Sequence, residues 1–265
     1  MYDFNDVNGP VAAQQHINGG GWVADTAYVD DTAFVSDNAK VYGDAKVYGD
    51  AKVYDEAKVF GNAVVFGNAV VYGNAKVYDE ARVYGNAIVY DNAEVYGNAK
   101  VYGNAIVYDN AIVYDNAIVY DNAVVYGYAI VYGEAIVSGY ARVYNNAEIC
   151  DNAEICNDAK VYGSAIVYGN AKVYGNARVY DSAKVFGNAV VCGNAKVSVL
   201  FSSNRSDGYT FCIYNDSKLG IRISAGCRNF SVEEARKHWT NTRGGTLLGE
   251  ESLAIVDYLV TMMKE

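Results

Sequence analysis

From Val23 to Val197 an aliphatic residue returns at every sixth position without interruption. The run holds thirty hexads, twenty-eight centred on Val and two on Ile149 and Ile155. In twenty-nine of them Ala stands two places earlier, and only the first, with Gly21, departs. The segment Ala99, Lys100, Val101, Tyr102, Gly103, Asn104 shows the unit: Ala, a variable residue, Val, Tyr, then a Gly or Asp, then an Asn, Asp or Glu. A short fixed period is the signature of a solenoid, so most of the 265 residues count turns of a coil rather than separate domains.

Period-2 alternation puts Ala and Val on one side of a short strand, with the variable residue and the Tyr on the other. The Gly/Asp pair that follows tolerates positive φ and turns the chain. Three such sides close a triangle of 18 residues, and stacked triangles pair each strand with those above and below. A helix does not fit, because six does not match 3.6 and Gly or Asp recurs within every turn. Burying one Val gains roughly 1.5–3 kcal/mol, whereas ordering backbone costs about 1–2 kcal/mol per residue. One hexad therefore cannot stand alone, and stability has to come from stacking. The interior, filled by Val and Ala, leaves no room for a ligand.

This pattern resembles the left-handed parallel β-helix, or hexapeptide-repeat, superfamily over Val23 to Val197. The resemblance implies an all-β solenoid of about ten triangular 18-residue coils; the left hand comes from the resemblance and not from the spacing. That superfamily includes acyltransferases with a catalytic His and γ-class carbonic anhydrases with a three-His metal site. Here no His lies between Val23 and Val197, and the chain has two in all, His16 and His238. We therefore expect no catalytic residue, no metal and no cofactor in the coils; a degenerate acyltransferase is the third-ranked reading. Outward Thr ladders of the ice-binding kind are also missing.

Functional information is left to the outward positions. Sorting the hexads by every third gives one face with Tyr54, Tyr72, Tyr90, Tyr108, Tyr126, Tyr144, Tyr162 and Tyr180 in a ladder. Beside it, Val70, Ile88, Ile106 and Val124 are four successive apolar positions. At the same height Ile112 and Ile130 fall on a second face, and Ile118 and Ile136 on the third. Tyr128 and Tyr140 replace corner residues there, and no basic residue occurs between Lys100 and Arg142. An apolar belt several coils tall marks an interface, and tyrosine is enriched in interfaces. The leading expectation is a non-enzymatic scaffold that forms a homo-oligomer or binds a protein partner through this belt.

Residues 1–22 hold the only proline, Pro10, and read as an N-terminal cap. The coil domain spans 23–198 and a C-terminal module spans 199–265. In that module Tyr209 to Tyr214 and Leu219 to Ser224 read as a β-hairpin. Ser231 with Glu234 forms a capping box opening a helix to about Trp239, and a second helix runs near Glu250 to Lys264. The module is similar to small terminal modules of phage and prophage repeat proteins, which implies such an origin. Arg222, Arg228, Trp239 and Arg243 are its candidate ligand-binding residues. They support a second reading, binding or sequestering a glycan or small anionic metabolite, with antagonism of a host defence as one form. A nucleophile set of Cys227, His238 and Glu234 is weighed and set below packing roles for those residues.

The formal net charge of −10 argues against nucleic acid and anionic membrane surfaces as partners. No apolar run approaches the roughly 18 residues needed to span a bilayer, and the first residues lack the pattern of a signal peptide. Five cysteines in no framework spacing suit a reducing compartment. Cytoplasmic residence is the expectation.

Overall fold

The computed structural model describes residues 1–7, 9–198, 201–216, 219–226 and 228–263. Cys227 and Lys264, which enter the expectations above, lie outside them. The chain divides into two compact units, Met1–Asn145 and Asn146–Glu265.

In the first unit, twenty-one short strands from Trp22–Ala24 to Arg142–Val143 follow one per hexad. Every third strand joins the same parallel sheet, giving three sheets and seven coils. The register is 18 residues throughout: Val71 pairs Val89, Val89 pairs Val107, and Val107 pairs Val125. The second unit repeats the arrangement with nine strands, from Glu148–Ile149 to Lys196–Val197. The chain is thus a β-solenoid of about ten coils. Inward Val and Ile are fully buried from Val35 to Val197, and the Ala ladder with them. The alternation read from the sequence is the one observed.

The corners explain the Gly/Asp choice. At every sixth position from Asp37 to Gly193 the backbone has φ between about +56° and +75°, whichever residue stands there. Glycine adopts this region freely, and Asp and Asn more readily than other residues. Several corner aspartates also accept the amide of the next coil's corner, as Asp55 Oδ2 does from Gly73 N (3.2 Å) and Asp109 Oδ2 from Gly127 N (3.2 Å). Outside the corners, asparagines stack in their own ladder, with Asn68, Asn86, Asn104 and Asn122 linked at 3.1–3.3 Å.

The first coil shows how its end is closed. Strand Ala13–Gln15 pairs antiparallel with Trp22–Ala24 and covers that sheet's edge. Phe4 is 1% exposed and stacks on Tyr42 at 4.8 Å, while Tyr2 stacks on Trp22 at 4.1 Å. Such coverage keeps an open edge from pairing with another chain. Gly21, the one residue that breaks the Ala ladder, is forced by this closure. A Cβ there would lie 2.7 Å from Val35 Cγ1.

In the second unit the coils give way to a four-stranded antiparallel sheet in chain order, Phe201–Asn204, Thr210–Asp216, Gly220–Ala225 and Arg228–Ser231. The expected hairpin forms its centre, and two outer strands add to it. Helix α1, Val232–Arg243, opens on the expected capping box: Ser231 N donates to Glu234 Oε2 (2.7 Å) and Glu234 N donates to Ser231 Oγ (3.1 Å). It runs a turn beyond Trp239. Helix α2, Leu247–Met262, starts at N-cap Thr246, before Glu250. Phe211, Ile213, Ile223, Trp239, Val256 and Leu259 form the core between sheet and helices. No helix among the described residues is long and apolar enough to cross a membrane.

The corner chemistry gives a test at Gly85, where a Cβ would meet Gly103 N at 3.0 Å and φ is +73°. Gly85→Ala is expected to cost about 1–3 kcal/mol in denaturant unfolding. Gly85→Asp should cost less, because its carboxylate can accept the Gly103 amide as Asp55 accepts that of Gly73. Equal losses in the two variants would refute this account of the corners.

Candidate functional site

The 18-residue register stacks outward residues as strictly as inward ones. On the face of Val70, that residue pairs with Ile88, Ile88 with Ile106, and Ile106 with Val124. Next to them Tyr54, Tyr72, Tyr90, Tyr108, Tyr126 and Tyr144 form one column, each ring 4.9–5.0 Å from the next and within 10° of parallel. Ile112 pairs Ile130 on a second face and Ile118 pairs Ile136 on the third. The structure therefore places the expected belt residues other than Tyr128 and Tyr140 in in-register strips. Their side chains are half-buried by their own stacking, whereas Tyr128 and Tyr140 at the corners are 65% and 64% exposed.

Stacking alters the phenols. Burial pushes Tyr54, Tyr72, Tyr84, Tyr96, Tyr102 and Tyr108 above the usual tyrosine range, with neighbouring phenols and aspartates adding to it in most of them. Tyr90 is pushed up to about 12 by burial first, then by Tyr108 and Tyr72. Tyr78 is raised further still, by burial and by its hydrogen bond to Glu94 Oε2 (3.0 Å). The phenols named here are uncharged at neutral pH.

The second unit holds a different kind of feature. A cleft of about 920 Å³ opens between the antiparallel sheet, α1 and the start of α2. Its floor is organised by Arg205, whose side chain is 3% exposed. Arg205 donates from Nε to Asp207 Oδ1 (2.9 Å), from Nη2 to Asp207 Oδ2 (2.7 Å) and from Nη1 to Ser252 Oγ (2.9 Å). Its guanidinium also lies 5.0 Å from the Tyr209 ring and 5.3 Å from that of Trp239. The hydrogen bonds from Arg205 hold the Asp207 carboxyl down to about 2. That pair is electrically complete.

Three of the four candidate ligand-binding residues, Arg228, Trp239 and Arg243, line this cleft together with His238. Arg222 does not. It donates to Asn229 Oδ1 (2.9 Å) and Asn229 O (3.0 Å) and lies 3.5 Å from Glu234. Arg228 Nη1 contacts His238 Nε2, so that nitrogen is the acceptor and the imidazole is neutral. Burial, then the Arg228 charge, lowers the His238 pKa. Of the weighed nucleophile set, His238 contacts Arg228 and Glu234 serves the α1 cap, while Cys227 lies outside the described residues. No cluster of three or more His, Cys, Asp or Glu among the described residues could hold a metal ion. Sequence reasoning missed Arg205, Asp207 and Ser252. The close spacing of Arg205, Asp207 and Tyr209 was the available signal for the first two; Ser252 comes from 47 residues away.

A family model described as the YdcK beta solenoid repeat matches residues 57–73, 81–97, 99–115, 107–121, 111–127, 117–133 and 171–185. The chain is similar to that family in part of its coils, among them those carrying Val70, Ile88, Ile106 and Val124. No curated protein matches the chain.

Raised phenol values carry a linkage consequence. A group whose folded pKa exceeds its unfolded value near 10 contributes stability below pH 10, and loses it as pH climbs through the folded value. Absorbance titration at alkaline pH should show a large share of the tyrosines ionising above 10 in the native chain, Tyr90 near 12. After denaturation all should titrate near 10. A native curve that overlays the denatured one would refute the stacked columns.

Proposed function

We propose that this protein is a non-enzymatic scaffold that self-associates through the face carrying Val70, Ile88, Ile106 and Val124. The observation that carries this reading is the uncharged strip on a chain of net charge −10: four aliphatic residues in register beside the four stacked tyrosines Tyr72, Tyr90, Tyr108 and Tyr126. Two such faces can meet without opposing like charges, which other parts of the surface would oppose. Tyr128 and Tyr140, exposed at corners of the same coils, extend the contact. The Lys-bearing coils toward the N-terminus stay solvated.

The size of the strip sets the strength. Four coils at about 4.8 Å and a side roughly 10–15 Å wide give about 200–300 Å². A standard interface buries about 800 Å² per partner. The association is therefore reversible and concentration-dependent rather than obligate.

The hexapeptide-repeat resemblance, with its left-handed coil, belongs to this reading, and so does cytoplasmic residence; a phage or prophage origin rests on the C-terminal likeness alone. Acyl transfer has no His in the coils to run on. Ligand binding is the second reading, and the cleft lined by Arg228, Trp239 and Arg243 is what favours it.

Sedimentation velocity over a range of concentrations tests the first reading. The native chain is expected to move from monomer toward dimer as concentration rises, and the double variant Ile106→Lys, Val124→Lys to stay monomeric with an unchanged circular dichroism spectrum. A native chain that is monomeric throughout, or a variant that associates equally well, would overturn self-association through this face.

A further inference from the structure

The cleft of the second unit contains more donor capacity than its own residues use. Arg205 and Asp207 neutralise each other across a two-fold hydrogen bond. Arg228 and Arg243 remain, and no carboxylate among the described residues pairs with either. With His238 neutral, the cleft carries two uncompensated positive charges in a chain of net −10. The second observation is independent of charge. Trp239 is 4% exposed, lines the cleft, and its indole Nε1 is buried with no hydrogen-bond partner. A buried N–H without an acceptor is uncommon in folded proteins and calls for a partner such as a water or a bound ligand. The first turn of α2 adds to this: Leu247 and Leu248 line the same wall, where a helix of 16 residues presents its positive end.

We propose that this cleft binds a small organic phosphate, with Arg228, Arg243 and the Trp239 indole N–H as its donors. The inference rests on the ligand-binding reading and narrows it. The donors come from different elements: a strand (Arg228), the body and end of α1 (Trp239, Arg243), and the start of α2. A tetrahedral oxyanion offers acceptor oxygens in several directions at once. A carboxylate presents two oxygens in a single plane and suits one guanidinium fork. The cleft is also larger than a bare phosphate needs, lying within the range of small-molecule sites. Tyr209, Trp239 and Leu248 supply walls for an organic group. The bound molecule would satisfy Trp239 Nε1 and cancel the excess charge together.

The two tryptophans of the chain, Trp22 and Trp239, allow a direct test. Full-length protein labelled with ¹⁵N at tryptophan gives two indole N–H signals, assigned with Trp22→Phe. Inorganic phosphate, adenosine monophosphate, citrate and a neutral disaccharide are titrated separately at low salt. The expected result is a saturable shift of the Trp239 signal with adenosine monophosphate, while the Trp22 signal stays fixed. Arg243→Gln and Arg228→Gln, whose unliganded spectra verify folding, should each weaken binding about tenfold or more. Equal affinity for inorganic phosphate would assign recognition to the oxyanion itself; tighter adenosine monophosphate would assign part of it to the walls. A shift with citrate or the disaccharide and none with phosphates would overturn the phosphate proposal while leaving ligand binding standing. No shift of Trp239 with any probe up to about 10 mM, well beyond millimolar affinity, would overturn both.

Discussion

Backbone amides along the coils donate to a carbonyl seventeen residues onward: Ile88 N to Ala105 O at 2.9 Å, Tyr90 N to Val107 O at 3.0 Å, Asn92 N to Asp109 O at 2.8 Å. The remaining structure follows from this ladder. Once the register is 18, each side chain sits on its counterpart one coil away, and an interaction that works once is repeated at every level. Inside, Val on Val and Ala on Ala fill a narrow core with no polar group to satisfy. At the corners, a single backbone geometry recurs, and residues able to adopt it are selected again and again. Outside, tyrosines are brought to stacking distance irrespective of what they do. Regularity of this kind is a packing consequence before it is a functional sign.

The same ladder penalises repetition of charge. Lys40, Lys58 and Lys76 are paired directly in register on one face, which places like charges on adjacent strands. Glu94 follows and takes an ion pair with Lys76 at 2.8 Å. Lys172 and Glu154 make the same arrangement at 2.9 Å in the second unit. One opposite charge thus relieves a lysine column, and an aliphatic replacement is not needed for relief. The four aliphatic residues from Val70 to Val124 go beyond what stacked charge requires.

Nearly all of the coil architecture was legible because its cause is local and repeated. Each hexad carries its strand, its corner and its facing in six residues, and thirty copies leave no ambiguity of period. Even the one exception, Gly21, marks the place where chain closure crowds Val35. The C-terminal part was legible only where chemistry is local. The Ser231–Glu234 capping box and the central hairpin could be read, but the outer strands Phe201–Asn204 and Arg228–Ser231 could not. Four residues each, with no clean alternation, they exist because they pair with the hairpin. The cleft behaves likewise. Arg228, Trp239 and Arg243 drew notice as residue types suited to ligands, whereas Arg205 gains its meaning only from Ser252 across the fold. Arg222 looked equivalent in sequence, yet Asn229 and Glu234 occupy it.

This contrast bears on where recognition can arise in such a chain. A flat side built from identical levels offers area and apolarity, but it has no unique point and cannot converge several donors on one atom. Convergence needs elements that cross at different angles, and those begin only after Val197. There a buried guanidinium is fixed by a carboxylate and a serine hydroxyl, with aromatic rings packed around it. The rigid floor leaves Arg228, Arg243 and the indole of Trp239 bordering a common space. The proposed partners differ accordingly: an extended, weakly held protein face for the coils, and a compact anion for the C-terminal part. Neither needs the catalytic histidine that the hexad pattern first brings to mind, because the repeat supplies support and its interruption supplies the concave site.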